Sequence, residues 1–263
     1  MKISLIIAFY KNTAFLKLIL MALLNQSDKN FEVIIADDDN SEASTHFIRE
    51  WMPLCFFPLV HVNQLKDDGF RKNEVLNKAI VKSSGEFIVF IDGDCIPHRH
   101  FIKQYRANIQ ENIALFGRRV MLTKAMKDKL VQTGDLSLLS LWNLFVNRTG
   151  NLKDALYLPF LNRRHTSGIW GCNWGIHKKH LLEVNGFDED YIHAGVGEDV
   201  DIESRLNKNG ITLKSLKQKA IVYHLYHKPN YSDADIQLNF ELLKLKQKEG
   251  LIFCRNGIVK DDV

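Results

Sequence analysis

With 263 residues, 46% of them apolar and 25% charged, the chain has the size and composition of a soluble globular protein, one large α/β domain or two small ones. A formal charge of +4, with no run of basic residues interleaved with aromatics, admits an anionic ligand but argues against nucleic acid as a partner. Four scattered cysteines without a CxxC pair argue against a disulfide framework or a zinc site, and no apolar stretch approaches the ~20 residues that span a bilayer. The first residues lack the basic and apolar regions of a secretory signal, so a cytoplasmic protein is expected.

Ile3 to Phe9 is a continuous apolar run, the pattern of a strand covered on both faces. Phe15, Leu18, Ile19 and Ala22 then recur at helical spacing, with Asn12 or Thr13 available as N-cap. Strands are expected at 31–36 and 59–62, a helix around Val75, Leu76, Ala79 and Ile80, and a further strand at 86–91. This β-α-β-α rhythm predicts an α/β fold with a doubly wound, mostly parallel sheet, whose ligands sit outside the carboxyl ends of the strands. Beyond it, 114–122 reads as a strand and 124–166 as a mixed helical stretch. Residues 169–176 are rich in aromatics and glycine, and 198–208 read as a helix stopped by Gly210. Strands at 211–216 and 220–224 and an amphipathic helix at 234–249 complete the chain.

Two acidic motifs carry the chemistry. Asp92-Gly93-Asp94 closes the strand at 86–91. Side chains two apart on an extended segment share a face, and two carboxylates there call for a cation such as Mg2+ or Mn2+ bridging to phosphate, with Gly93 allowing close approach. Glu198-Asp199 opens the helix at 198–208, where three acids in one turn exceed what capping needs, and a carboxylate there is placed to act as a general base. Asp37 and Asp38 end the second strand, suited to accept hydrogen bonds from a ribose or base. Arg71 and Lys72 sit at a helix start, a position easier to accept beside an anion. Trp170 offers an indole face to a sugar and Asn173 an amide to its hydroxyls. His224 and His227 follow the last strand, one aimed at a metal and the other at phosphate.

Together these residues resemble the family 2 glycosyltransferases of GT-A fold, with a C-terminal half similar to the galactosyltransferase and N-acetylgalactosaminyltransferase group. The resemblance covers roughly residues 1–230, divided into a nucleotide-sugar half (1–122) and an acceptor half carrying the catalytic base (123–230), with 231–263 as a tail helix. It implies that the first strand, through Ala8 and Tyr10, reaches the nucleotide, that Asp37 and Asp38 contact uridine, and that Asp92-Gly93-Asp94 is the DxD motif binding metal and diphosphate. Trp170 to Asn173 would form the donor and acceptor wall. Gly186-Phe187-Asp188-Glu189 followed by Gly197-Glu198-Asp199 is the most specific match: Asp199 falls at the base, Glu198 at an acid that orients the sugars, and His224 at a further metal ligand. Asp39-Asn40 and Gly195-Val196 depart from the Gly-Ser and Trp-Gly that relatives carry.

The implied reaction is a single inverting displacement. Asp94, Asp92 and His224 hold Mn2+ or Mg2+ on a UDP-sugar, and Asp199 deprotonates a hydroxyl of a saccharide acceptor, lipid-linked acceptors included. A sugar nucleotidyltransferase is the rival enzyme reading, but its Gly-rich basic loop is missing after the first strand, which ends in Phe9-Tyr10-Lys11-Asn12. A catalytically silent nucleotide-sugar-binding subunit of a synthase is the rival outside enzymes. The apolar segment Leu136 to Val146 reads as a buried core helix, or as an element resting on the inner face of the cytoplasmic membrane.

Overall fold

The computed structural model describes residues 1–161, 168–229 and 231–260. Positions 162–166 of the expected helical stretch and 261–263 of the tail lie outside the described residues. The N-terminal strands β1 (Ile3–Phe9), β2 (Phe31–Asp37) and β3 (Leu59–Asn63), with β4 (Phe87–Asp92), pair in parallel in the order β3-β2-β1-β4. Successive side chains of a strand point to opposite faces. On β1, Leu5 and Ile7 therefore join one core cluster with α1 (Thr13–Leu24), and Ile6 joins another with Val75, Leu76, Ala79 and Ile80 of α3 (Lys72–Lys82). Both faces are covered, which is why β1 and β2 are mostly apolar, with Ser4, Glu32 and Asp37 as the polar exceptions. Asn12 caps α1 through a bond from the Phe15 N–H.

Two helices are not read from the sequence. In α2 (Glu42–Trp51), only Ser44 and Ile48 are buried. After the short β5 (Cys95–Pro97), α4 (Phe101–Asn108) buries Phe101, Ile102, Gln104 and Tyr105. The strand expected at 114–122 is two strands, β6 (Ile113–Phe116) and β7 (Arg118–Met121), divided at Gly117. The segment continues with α5 (Lys124–Thr133) and α6 (Leu141–Val146). Next come β8 (Asn173–His177), α7 (Lys178–Glu183), α8 (Glu198–Lys208), β9 (Thr212–Ser215), β10 (Ile221–His224) and α9 (Asp233–Glu249). β8 runs antiparallel to β4 and β6, extending the sheet to seven strands, β3-β2-β1-β4-β8-β6-β9. β5, β10 and β7 form a second sheet, giving ten strands among the described residues.

Asn173 and Gly117 make the seam between the two sheets. The Asn173 amide donates to Arg118 O (3.2 Å) and Ala220 O (2.9 Å), and its carbonyl accepts the Tyr105 hydroxyl (2.7 Å). A Cβ on Gly117 would lie 2.2 Å from Asn173 Nδ2 and 2.6 Å from Ala220 O, so only glycine permits this approach. The expectation that Asn173 faces a ligand is corrected: it is fully buried, and its polar atoms are spent holding the sheets together. Trp174 beside it stacks on Phe90 at 4.7 Å, inside the core.

Asn173→Ala strands one hydroxyl and two carbonyls in the interior, and is expected to cost about 2–4 kcal/mol of stability. Gly117→Ala is expected to destabilise through the same seam. Urea unfolding of both variants is the check; a midpoint equal to wild type for either would contradict the seam.

Candidate active site

The carboxyl ends of β1, β2 and β4 open into a cleft of about 640 Å3. Its floor is low because Ala8 of β1 pairs in register with Ala36 on one side and Asp92 on the other, two small residues and one short one. Tyr10, Asp38, Lys72, Asp94 and His227 stand around that floor. A narrower crevice shares Ala8 and Lys72 with the cleft and is closed by Gly171, Glu198 and Asp199.

Asp92 and Asp94 do not share one face. β4 ends at Asp92 and the chain turns at Gly93 into β5, so the two carboxylates diverge. The Gly93 N–H donates to Ala8 O at 2.7 Å, and a Cβ there would meet that oxygen at 2.8 Å. Glycine is thus required first by the neighbouring strand. Asp94 turns to the second sheet, where His224 Nε2 lies 3.3 Å and His227 Nε2 2.7 Å from its Oδ2. These three residues can each offer a ligand atom within 4.8 Å of the others, and His224 Nδ1 is buried without a partner. Although burial disfavours it, hydrogen bonds from His224 and His227 hold the Asp94 carboxyl far below the usual range. The bond to Asp94 raises the His227 pKa. Of the three expected metal ligands, Asp94 and His224 meet here and His227 joins them, while Asp92 is not in the group.

Asp92 faces Lys72 instead, 3.2 Å from its Nζ, and Glu198 Oε1 lies 3.6 Å from the same ammonium. Burial works against the Lys72 charge, but Asp92, Glu198 and Asp199 together raise its pKa well above the ordinary lysine value. The choice between Arg71 and Lys72 is made by the start of α3. Arg71 precedes the helix and bends back to Phe70 O and Asp68, while Lys72 opens α3 facing the cleft.

α8 starts at Gly197, whose φ of 120° suits glycine. Of its first-turn acids, Asp201 folds back onto Arg205 (2.8 Å), leaving Glu198 and Asp199 toward the crevice. Asp199 accepts the Gly171 N–H at 2.7 Å. Burial, then the neighbouring Glu198, pushes its carboxyl up to about 7 against the pull of Lys72 and the Gly171 N–H. A carboxylate titrating near neutrality suits a general base.

Asp37 and Asp38 part company. Asp37 is fully buried against His61 (2.9 Å) and cannot meet a ligand, contrary to expectation. Asp38 lines the cleft, but its oxygens also accept the Arg71 N–H (3.0 and 3.1 Å) and the Gln64 amide (2.5 Å). Burial pushes it up to about 6 despite those bonds. Trp170 remains 40% exposed with two guanidinium groups beside its ring, Arg118 at 4.5 Å and Arg119 at 5.5 Å. Neither arginine is legible as a site residue in the sequence, because their strand comes close to Trp170 only through the sheet seam.

The sequence profile described as "Glycosyl transferase family 2" matches residues 4–183, more than half the chain, and the chain belongs to that family. A second profile, "N-terminal domain of galactosyltransferase", matches residues 158–228. The chain is 25% identical over 266 residues to a chondroitin synthase of Escherichia coli, covering 94% of this chain and 38% of that protein. It is 26% identical over 288 residues to a hyaluronan synthase of Pasteurella multocida, covering 98% of this chain and 28% of that one. It thus spans well under half the length of these relatives. The solved structure of GalNAc-T7 with UDP, GalNAc and Mn2+ superposes with a TM-score of 0.62 at 12% identity, covering 88% of this chain and 44% of that one, a likeness of fold. The chain is a glycosyltransferase with the GT-A fold.

Lys72→Met removes the cation that lowers the Asp199 pKa, so Asp199 is expected to titrate above its wild-type midpoint near 7. Carboxyl-carbon NMR titration reads this directly; an unchanged or lower midpoint would disprove the coupling.

Proposed function

We propose that this enzyme moves a hexose or N-acetylhexosamine, of galactose or N-acetylgalactosamine type, from a UDP-sugar to a hydroxyl of a saccharide acceptor, with inversion, in polysaccharide synthesis. The observation that carries the reading is the placement of Asp199, a carboxylate poised near neutrality, across Lys72 from the strand ends that present Asp92 and Asp94. Residues 1–122 take the donor, 123–230 the acceptor, and 231–263 form a supporting tail. Ala8, Tyr10, Asp38 and Gly93 line the nucleotide-binding cleft. The two polymer synthases among the relatives and the UDP and Mn2+ of the structural neighbour agree with this reading.

Asp94, His224 and His227 would hold the divalent cation. One carboxylate and two imidazoles suit Mn2+ better than Mg2+, which prefers oxygen ligands. When bound, such an ion offsets charge gathering on the leaving diphosphate. Asp199 takes the proton of the acceptor hydroxyl as its oxygen bonds to the anomeric carbon and the bond from that carbon to the UDP oxygen breaks. Glu198 orients the sugars. Lys72 keeps Asp199 ionised at neutral pH and steadies Asp92 toward the donor.

Of the two readings of 136–146, a core helix and an element at the membrane surface, the burial pattern supports the second. In α6, Leu144 alone is buried, while Trp142 is 72% and Phe145 62% exposed. Arg148 and Lys153 follow, and the lone acid between 136 and 161, Asp154, is buried against Lys217. An apolar, aromatic surface with basic neighbours suits a bilayer with anionic headgroups, where a lipid-linked acceptor would be met. Among the described residues, no helix is long and apolar enough to cross the membrane.

A UDP-release screen across UDP-sugars, with Mn2+ or EDTA, is expected to reveal one slowly hydrolysed donor, with the signal lost in EDTA and in Asp94→Ala. Asp199→Asn is expected to lower acceptor-dependent kcat by about 10²–10⁴-fold. The wild-type kcat/KM should fall below pH 7 as Asp199 takes up its proton. UDP binding without turnover, indifferent to Asp199→Asn, would instead mark a silent subunit. In a second measurement, wild type is expected to sediment with vesicles rich in anionic phospholipid and Trp142→Glu/Phe145→Glu to stay in solution; equal behaviour of the two would remove the bilayer role of α6.

A further inference from the structure

Cys95 stands behind the residues that gather around Asp94. It opens β5 and lies in register with His224 of β10, so the two side chains are cross-strand neighbours on one face of the smaller sheet. The backbone fixes that register on the next pair, where the Leu225 N–H donates to Asp94 O at 2.8 Å. Cys95 is fully buried, in the core cluster that also holds Cys172 and Tyr223. A buried cysteine ordinarily serves as a small apolar side chain. Here its sulfur turns to a carboxylate instead, and the thiol donates to Asp94 Oδ1 at 3.1 Å.

That bond divides the two oxygens of Asp94. Oδ1 takes the thiol, and Oδ2 lies 3.3 Å from His224 Nε2 and 2.7 Å from His227 Nε2. Among the described residues the Cys95 thiol is the one hydrogen-bond donor to Oδ1. The side chain of Asp94 has only two rotatable bonds, and fixing one oxygen fixes where the other points. Without the thiol, Oδ1 would face the core with no partner, and the carboxylate would lose its reason to keep Oδ2 between the imidazoles. Cys95 therefore holds Asp94 by a hydrogen bond and stands beside His224 by strand register, touching two members of the group while supplying no ligand atom to it.

We propose that Cys95 is a positioning residue for the cation site: its thiol holds Oδ1 of Asp94 and so presents Oδ2 to the side where His224 and His227 converge. The inference rests on the reading of Asp94, His224 and His227 as holders of a divalent cation, and adds the group that orients them. Partners behind a metal ligand set its direction and basicity, and their loss weakens binding without removing a ligand.

The probe is Mn2+, titrated without and with UDP, and the readout is the free-ion signal in electron paramagnetic resonance, which needs no turnover. Wild type is expected to bind Mn2+ and Asp94→Ala to lose most of that affinity. Cys95→Ala is expected to weaken binding about 10- to 100-fold. Cys95→Ser, which keeps a hydroxyl donor at the same place, is expected to recover part of the loss. Should Cys95→Ala fail to fold, Cys95→Val fills the space without a donor and gives the same comparison with Cys95→Ser. Equal Mn2+ affinity in wild type and the variant without a donor overturns the proposal. Equal loss with and without the hydroxyl also overturns it, and leaves the thiol a packing group. If wild type binds no Mn2+ under either condition, the cation reading itself falls and this proposal falls with it; the first two outcomes leave that reading intact.

Discussion

Lys72 is the interaction on which the site depends. Asp92 comes from the end of β4 and Glu198 and Asp199 from the start of α8, elements far apart in the chain. Three carboxylates closing on one crevice repel one another, and the repulsion grows as water is excluded. A single ammonium at 3.2 Å from Asp92 and 3.6 Å from Glu198 relieves it. It also sets the balance at Asp199, where burial and Glu198 push the pKa up and Lys72 and the Gly171 N–H hold it near neutrality. Without that cation the same carboxylate would stay protonated at the pH where a base is needed.

The rest of the fold keeps these charges in place. Asn73 and Asn77 of α3 donate to Asp188 O (2.7 Å) and Phe187 O (2.8 Å), tying the helix of Lys72 to the Gly186-Phe187-Asp188-Glu189 turn. Arg205 of α8 donates to Val184 O (2.7 Å) and Gly186 O (2.8 Å), tying the helix of Asp199 to the same turn. The tail closes over it: Lys246 of α9 pairs with Asp188 at 2.8 Å, and Asn185 holds Cys254 O and Val259 through its amide. A turn that looks like a sequence signature is therefore a splint between the two helices that carry the charged crevice.

The two sheets divide the chemistry. The larger sheet presents Ala8, Asp38 and Asp92 at its strand ends, and the smaller one brings His224 against Asp94 at the edge of the same cleft. Their alignment rests on one buried amide, Asn173, and one glycine, Gly117, at their seam. A residue that reads as sugar-binding proves to be the joint that lets other residues bind.

The amino-acid sequence by itself determined the layered α/β core and the two acidic centres. The mostly apolar runs at 3–9 and 31–36 give strands covered on both faces, and the acid that ends β4 and the first two acids of α8 reach the site. Tertiary structure alone decided the partners. Whether Arg71 or Lys72 faces the crevice turns on where α3 begins, and whether Asp94 joins Asp92 or the two histidines turns on the bend at Gly93. The burial of Asn173 and Asp37, the exposure of Trp142 and Phe145 on α6, and the approach of Arg119 to Trp170 depend on which elements pack together. Periodicity encodes which face of an element is apolar, but not which neighbour will cover it, and a polar side chain has no role until that neighbour is in place.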